Sequence, residues 1–396
     1  MHKESNEEIL DRLRSGYSLP ALSVVASKLI ELASDEGSSV SDLADMIGKD
    51  PSLTVRLIRL ANAAFFRAGD PVTSLEQAVF RVGFDRLRVM ALSLSLRETF
   101  PMGRRGPMDY ERFWKISLYK ALLAKSLDER FGNGNMEEAF VAGLVQEIGL
   151  LIMFDLFIKN DRRESISLDL FPLEALLLRE KERYGINHRE VGEAALRYWH
   201  FPDAIVQCQS FFGEGRRDSL SPLAMNCEMA GMLSSMIFQK SIDLNSMFTR
   251  IKELFNVDHD TISDIVVAAF DEVEEIAGSL KVEVNKDKDL LELMEKANRV
   301  LARLSEKLPL EPSSESSKGL PSFKGLDSER DRAAVEYTLQ AVAHEIRNPL
   351  TSVGGFVKQL SKTMDSSCQG WQYMQVIIEE TKKLEEALSR ITRKVV

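Results

Sequence analysis

Large apolar residues return at helical spacing along most of the chain, as in Leu22, Val25, Leu29 and Leu32 and again in Leu53, Leu57, Leu60 and Ala64. Extended alternation is nearly missing, and the short run KVEV at 281–284 is the best strand candidate. The pattern predicts an all-α protein, with one long helical block from about Glu8 to Leu308. Turn-forming clusters punctuate that block at PMGRRGPMD (101–109), GNGN (132–135) and GEGRRDSLSP (213–222). Residues 309–328 are rich in Pro, Ser and Gly and poor in large apolar groups, the composition of a flexible tether.

Beyond the tether, Val335, Leu339, Val342, Ile346, Pro349, Val353, Phe356 and Leu360 alternate four and three residues apart, which is a heptad seam. After a polar turn, Asp365 to Gln369, the spacing resumes at Met374, Ile377, Thr381, Leu384, Leu388, Ile391 and Val395. A helical hairpin with one apolar stripe per helix encloses only a thin core. Two such hairpins make a four-helix bundle with the stripes inside, so a homodimer is expected.

Composition narrows the setting. A hydrophobic share of 44% over 396 residues is that of a globular chain with room for two or three cores. The longest apolar stretch, Gly149 to Ile158, is broken by Asp155 and falls far short of the ~20 residues a bilayer span needs. The N-terminus has no apolar core behind its charges, so no secretory signal, no membrane and a cytoplasmic location are expected. A net charge of -10 disfavours nucleic acid as a ligand. Residues 329–396 hold ten Lys or Arg against nine Asp or Glu, which leaves the acidity upstream. Cys208, Cys227 and Cys368 have neither the count nor the spacing of a disulfide framework or a zinc site, and read as ordinary reduced residues.

The string HEIRNPL at 344–350 carries the chemistry. His344 stands two residues before the seam position Ile346, on the outer face of the first hairpin helix. Glu345 can hold one imidazole nitrogen in its N–H form, leaving the other as the unprotonated nucleophile that phosphoryl transfer needs. Asn348, one turn along, reaches the same surface, and Pro349 removes a hydrogen bond to the carbonyl of Glu345 and predicts a bend beside the histidine. A lone helical histidine is ordinarily a solvated or a satisfied core residue. The context sets this one apart: residues 331–395 resemble the dimerisation and phosphoacceptor (HisKA-type) domain of sensor histidine kinases, whose signature is complete across 344–350. The resemblance implies His344 as phosphoacceptor, Glu345 as the base in autophosphorylation and Asn348 as support for phosphatase activity toward a response regulator. Such kinases continue into an ATP-binding domain. This sequence ends 52 residues after His344, and neither Gly354-Gly355 nor GNGN at 132–135 reads as a nucleotide lid. The expectation is no cofactor in this chain, with ATP entering through a catalytic domain absent from it.

The segment from Leu19 to Phe66, followed in order by SLEQAVFRVGFDRLRVMALSLSL (74–96), FWKIS (113–117), AGLVQEIG (142–149) and HREVGEAALRYWHFPDAI (188–205), resembles the HDOD domain, a helical relative of the HD phosphohydrolases. In metal-dependent HD enzymes the AGLVQEIG helix carries a His-Asp pair, which can hold a divalent cation that activates water. Here the positions read Gln146 and Glu147, and the histidines often seen after the Trp-x-x-Pro turn are replaced by Ser210, Phe211 and Phe212. No metal site is expected. His188 is assigned as a helix-start residue and His200 as a surface turn residue, both structural. The stretch from Ser39 to Phe66 also imitates a helix-turn-helix with Arg56 and Arg59 on its second helix, but its apolar density favours core packing over DNA readout.

The domains expected are an HDOD module over 10–212, a helical extension over 213–308, the linker 309–328 and the phosphoacceptor hairpin 329–396. In the extension Leu290, Met294, Ala297, Leu301 and Leu304 repeat at four and three, which fits pairing between subunits and packing within one domain equally well. The function expected is two-component signalling: the HDOD module controls phosphorylation of His344 and transfer to a response regulator receiver domain, a kinase ATP-binding domain being the other partner. The alternative is a non-enzymatic HDOD scaffold that uses the hairpin only to dimerise.

Overall fold

The computed structural model describes residues 39–62, 71–106, 108–132, 136–158, 172–210, 220–239 and 244–286, with scattered positions at 19, 24, 28, 168, 242, between 288 and 296 and between 354 and 386. By contact density the chain divides into two compact units, Met1–Gln239 with Ala268–Lys286, and Lys240–Val267 with Asp287–Val396.

Among the described residues the first four helices of the first unit are α1 (Val40–Gly48), α2 (Pro51–Asn62), α3 (Leu75–Val82) and α4 (Phe84–Thr99). Local chemistry starts α1: the Ser39 hydroxyl accepts from the Asp42 amide at 3.2 Å while the Asp42 carboxylate accepts from the Ser39 amide at 2.9 Å, a reciprocal cap. The carboxylate of Asp50 caps α2 in the same way, accepting from the Leu53 amide at 3.0 Å. α1 and α2 are the pair that imitates a helix-turn-helix, and their packing answers the question. Arg56 is buried and its guanidinium meets Glu98 of α4 at 2.9 Å, so this arginine is part of the domain's interior.

A two-residue ladder, β1 (Arg104–Arg105) against β2 (Met108–Asp109), tightens the turn-rich segment after α4. Among the described residues it is the only sheet. KVEV at 281–284 is therefore not a strand. Lys281 adopts φ 51 directly after the last helix of the unit, and the Val282 amide turns back to the carbonyl of Ala277, so the run closes a helix and has no strand to pair with.

The centre of the unit is α5 (Tyr110–Phe131), whose residues from Ile116 to Asp128 are buried on every side. A helix apolar all round can sit only in a core, and α5 packs against α6 (Met136–Val145) and a later helix, α11 (Pro222–Phe238). After α6 a turn at Gln146–Glu147 leads into α7 (Ile148–Met153), prolonged by a π-helical turn over Phe154–Ile158. Glu138–Phe157 is the one described stretch long and apolar enough to cross a membrane, and 83% of its apolar window lies inside the protein. α8 (Leu173–Tyr184), α9 (His188–Tyr198) and the short α10 (Asp203–Gln207) complete the layer, with α9 against α7.

Glycine sets that last contact. A Cβ on Gly149 would run into the carbonyl oxygen of His188 and crowd the amide of Gly192, so α7 and α9 meet backbone to backbone.

In the second unit lie α12 (Leu244–Phe255), the first residues of α13 (His259–Leu280) and the described hairpin positions. Val357, Met374 and Ile377 are buried, as is Thr381, and a Cβ on Gly354 would overlap the Thr381 methyl. The two hairpin helices thus approach closely where the first offers no side chain. Met374, Ile377 and Thr381 form the second stripe expected from the heptads. Leu290, Met294, Ala297, Leu301 and Leu304 lie outside the described residues.

Candidate functional site

The phosphoacceptor string places its four residues, His344, Glu345, Asn348 and Pro349, outside the described residues. The site whose geometry is visible is the one at Gln146–Glu147, where the HD metal pair would stand.

Glu147 sits in the turn between α6 and α7 and is buried, yet it is surrounded by cations. Lys120, from the middle of α5, is 1% exposed and places its ammonium on Glu147 Oε1. Arg189 closes a bidentate fork, Nη2 to Oε1 at 2.9 Å and Nε to Oε2 at 3.0 Å. His188 brings Nε2 to the same Oε2 at 2.9 Å. The imidazole's other nitrogen, Nδ1, meets Glu180 of α8 at 2.6 Å, and the His188 backbone amide donates to that same oxygen at 2.9 Å. Arg189 also donates through Nη1 to the carbonyl of Cys208 at 2.9 Å and to Glu228 of α11 at 3.1 Å. Gln146 donates through Nε2 to those two acceptors, at 2.7 Å and 3.3 Å.

Local sequence puts His188 and Arg189 in place. Asn187 caps α9, its side chain accepting from the Glu190 amide at 2.9 Å while Glu190 returns a bond to the Asn187 amide at 3.0 Å. The first two residues of α9 then face α7 across the bare surface of Gly149. His188 is thus the helix-start residue the sequence indicates, and it is structural. His200, exposed and at φ 51 just after α9, is the surface turn residue expected.

Three basic side chains, Lys120, His188 and Arg189, face three acidic ones, Glu147, Glu180 and Glu228. Burial alone would raise the Glu147 pKa. The guanidinium of Arg189 and the ammonium of Lys120 outweigh it and hold the carboxyl well below its usual range. Burial would likewise lower the His188 pKa, but the carboxylates of Glu180 and Glu147 reverse the direction and raise it. Both ring nitrogens face carboxylate oxygens, so both donate and the ring is an imidazolium.

A divalent cation does not fit here. Of the positions that carry the metal pair in HD enzymes, the first is a neutral amide whose only possible ligand atom, the buried and unpartnered Oε1, brings no charge to hold a cation, and the second is a carboxylate whose two oxygens are held by Lys120, Arg189 and His188. A metal would have to displace two fixed positive charges to reach its ligands. Among the described residues no group of three His, Cys, Asp or Glu side chains could hold an ion. What the arrangement does is tie α5, α7, α8, α9, the end of α10 and α11 to one carboxylate.

Sequence reasoning singled out Gln146, Glu147 and His188 and did not find Lys120, Arg189, Glu180 or Glu228. A signal exists for one of them: Lys120 interrupts the apolar run ISLYKALLA, in which an exposed position is not expected. Cys208 and Cys227 are both free and buried, and their thiols share a hydrogen bond that, with burial, pushes Cys208 well above the ordinary thiol range. Cys368 lies outside the described residues.

Comparison with known proteins finds two domains in the chain. The family model of the HDOD domain matches residues 19–212, and that of the His Kinase A (phospho-acceptor) domain matches residues 334–393. The uncharacterized protein YuxH of Bacillus subtilis (strain 168) is 23% identical over 141 residues, which cover 36% of this chain and 34% of YuxH. The match thus spans about a third of that curated relative's length. A provisionally assigned phosphohydrolase from Shewanella amazonensis SB2B shares the fold at TM-score 0.52 and 23% identity, covering 70% of this chain and 99% of that one. An HDOD domain protein of unknown function from Geobacter sulfurreducens covers 97% of this chain and 98% of its own at TM-score 0.37 and 17% identity. The chain therefore joins an HDOD domain over residues 19–212 to a histidine-kinase phospho-acceptor domain over residues 334–393.

Proposed function

We propose that this protein is the phospho-acceptor part of a two-component system, in which the HDOD domain governs phosphorylation of His344 and transfer of the phosphoryl group to the aspartate of a response regulator. One observation carries the reading: the string HEIRNPL falls inside the matched phospho-acceptor region, on a chain whose preceding domain is HDOD. His344 attacks the γ-phosphorus of ATP held by a kinase ATP-binding domain, and the bond to the β,γ-bridging oxygen breaks in line. Glu345 keeps one imidazole nitrogen protonated so that the other attacks, and Asn348 supports the reverse, hydrolytic direction at the regulator. Pro349 bends the helix beside the histidine. The hairpin acts as a homodimer, and the protein works in the cytoplasm. The chain itself holds no cofactor, and ATP is bound by the kinase domain that phosphorylates it.

The HDOD domain acts in this scheme by binding. Its Glu147 is saturated by basic side chains of the same chain, which supports a recognition role over hydrolysis. A second reading, a scaffold in which the hairpin only dimerises, is equally compatible with that saturation. The two separate on labelling the purified chain with γ-labelled ATP, alone and with a histidine-kinase ATP-binding domain supplied separately, beside His344→Gln. Acid-labile label on wild type only, and only with the added domain, is the expected result. No label with the dimer intact would leave the scaffold.

A further inference from the structure

We propose that the start of α13 is a docking surface for the first helix of the phospho-acceptor hairpin of the same chain, through Asp264 and Gln359. The proposal rests on reading residues 329–396 as that hairpin. Residues Lys240–Val267 belong to one compact unit with Asp287–Val396, so the first turns of α13 share a body with the hairpin and not with the HDOD domain's centre. Within that body the Gln359 amide donates to Asp264 Oδ1 at 2.5 Å, across 95 residues of sequence. The other end of the same amide is also engaged, accepting from Lys362 at 2.9 Å. Both polar atoms of Gln359 are therefore fixed.

Register shows that this is a separate face of the hairpin helix. Gly354 and Val357 are buried, and Gly354 abuts Thr381 of the second hairpin helix. Gln359 stands five residues after Gly354, about 140° around a helix of 3.6 residues per turn. The helix thus turns one face to its own hairpin partner and another to α13. On the α13 side Ile262, Ser263, Ile265 and Val266 are all buried while Asp264 between them is exposed. Only the carboxylate is offered outward, and Gln359 is what it meets.

Such a contact makes the helical extension a direct holder of the hairpin, in addition to the covalent connection through residues 309–328. The test uses the full chain in a Cys368→Ser background with Asp264→Cys and Gln359→Cys, both outside the described core, and a protease site placed within 309–328. Mild copper-phenanthroline oxidation joins the two cysteines if they are neighbours. The expected product is an intrachain disulfide that keeps the two fragments together after cleavage until reductant is added. No crosslink, or one formed only between copies, overturns the proposal. A second measurement needs no new thiol. Asp264→Lys should speed amide exchange across 354–363 about threefold, as the loss of one hydrogen bond implies, and adding Gln359→Glu should reverse it; unchanged exchange overturns the contact. Crosslinking reads proximity alone, so an unlabelled His344 with a positive crosslink removes the proposed phosphotransfer and keeps the docking surface.

Discussion

Replacing Lys120 by Met is the sharpest probe of the buried cluster. The side chain is 1% exposed, and methionine keeps most of its length and apolar stem while removing the ammonium from Glu147. Breaking a buried ion pair by deleting one partner costs ~3–5 kcal/mol, since the remaining charge stays buried. Arg189 and His188 still hold Glu147, at 2.9 Å each for their nearest contacts, so the loss belongs at the lower end, ~3 kcal/mol. Against a domain stability of ~5–15 kcal/mol that is a large fraction. Urea unfolding of the full chain in a Trp371→Phe background reads it, because the fluorescence then comes from Trp114 and Trp199, both in the HDOD domain's core. With a slope of ~3 kcal/mol per molar urea the midpoint should fall by ~1 M. Glu147→Gln should cost at least ~1 kcal/mol less in the Lys120→Met background than in the wild type, since the two residues are in contact. A midpoint that stays or rises in Lys120→Met would show that Glu147 does not need the ammonium, and would sink the account of the cluster as charge-balanced.

The proton on His188 gives a pH signature. Its folded pKa is raised, so the stability it contributes is fully present below the unfolded value of ~6.5 and is lost as pH rises through the folded one. The urea midpoint should therefore decline on the alkaline side, and His188→Gln should flatten that limb; an equal decline in the variant would assign it elsewhere. Glu147, whose pKa is depressed, contributes the opposite limb, present above ~4.3 and lost as pH falls through its lowered value. Gly149→Ala should cost at least ~2 kcal/mol through the collision with the His188 carbonyl. Gly48→Ala, where a Cβ meets nothing within 4 Å, should be neutral or gain up to ~1 kcal/mol, and similar melting temperatures for the two would contradict the α7–α9 contact.

The helical class was legible because apolar spacing near four and three persists through α2, α5 and the hairpin stripe at Met374, Ile377 and Thr381. KVEV misled because alternation over four residues cannot be told from the end of a helix; the difference lies in Lys281, whose left-handed backbone no propensity indicates. Arg56 was readable as interior from the apolar density around it, though its partner Glu98 is 42 residues away and carries no local mark. The candidate site was legible in half. That 146 and 147 are not a His-Asp pair shows in Gln146 and Glu147 by residue type alone, and His188 by its capping sequence. What fills the space does not show, since Lys120, Glu180 and Glu228 come from three separate helices and meet only in three dimensions.

The saturation of Glu147 also fixes what this domain can become. A metal-dependent hydrolase at this position would need a histidine at 146, a free carboxylate at 147, and the removal of both Lys120 and Arg189 with their partners re-matched. Removing Lys120 or Arg189 alone leaves carboxylate charge stranded in the interior, at a cost that is a large fraction of the fold's own margin. Substitution around Glu147 is therefore held back by several charges that must change together, whereas the domain's surfaces carry no such constraint.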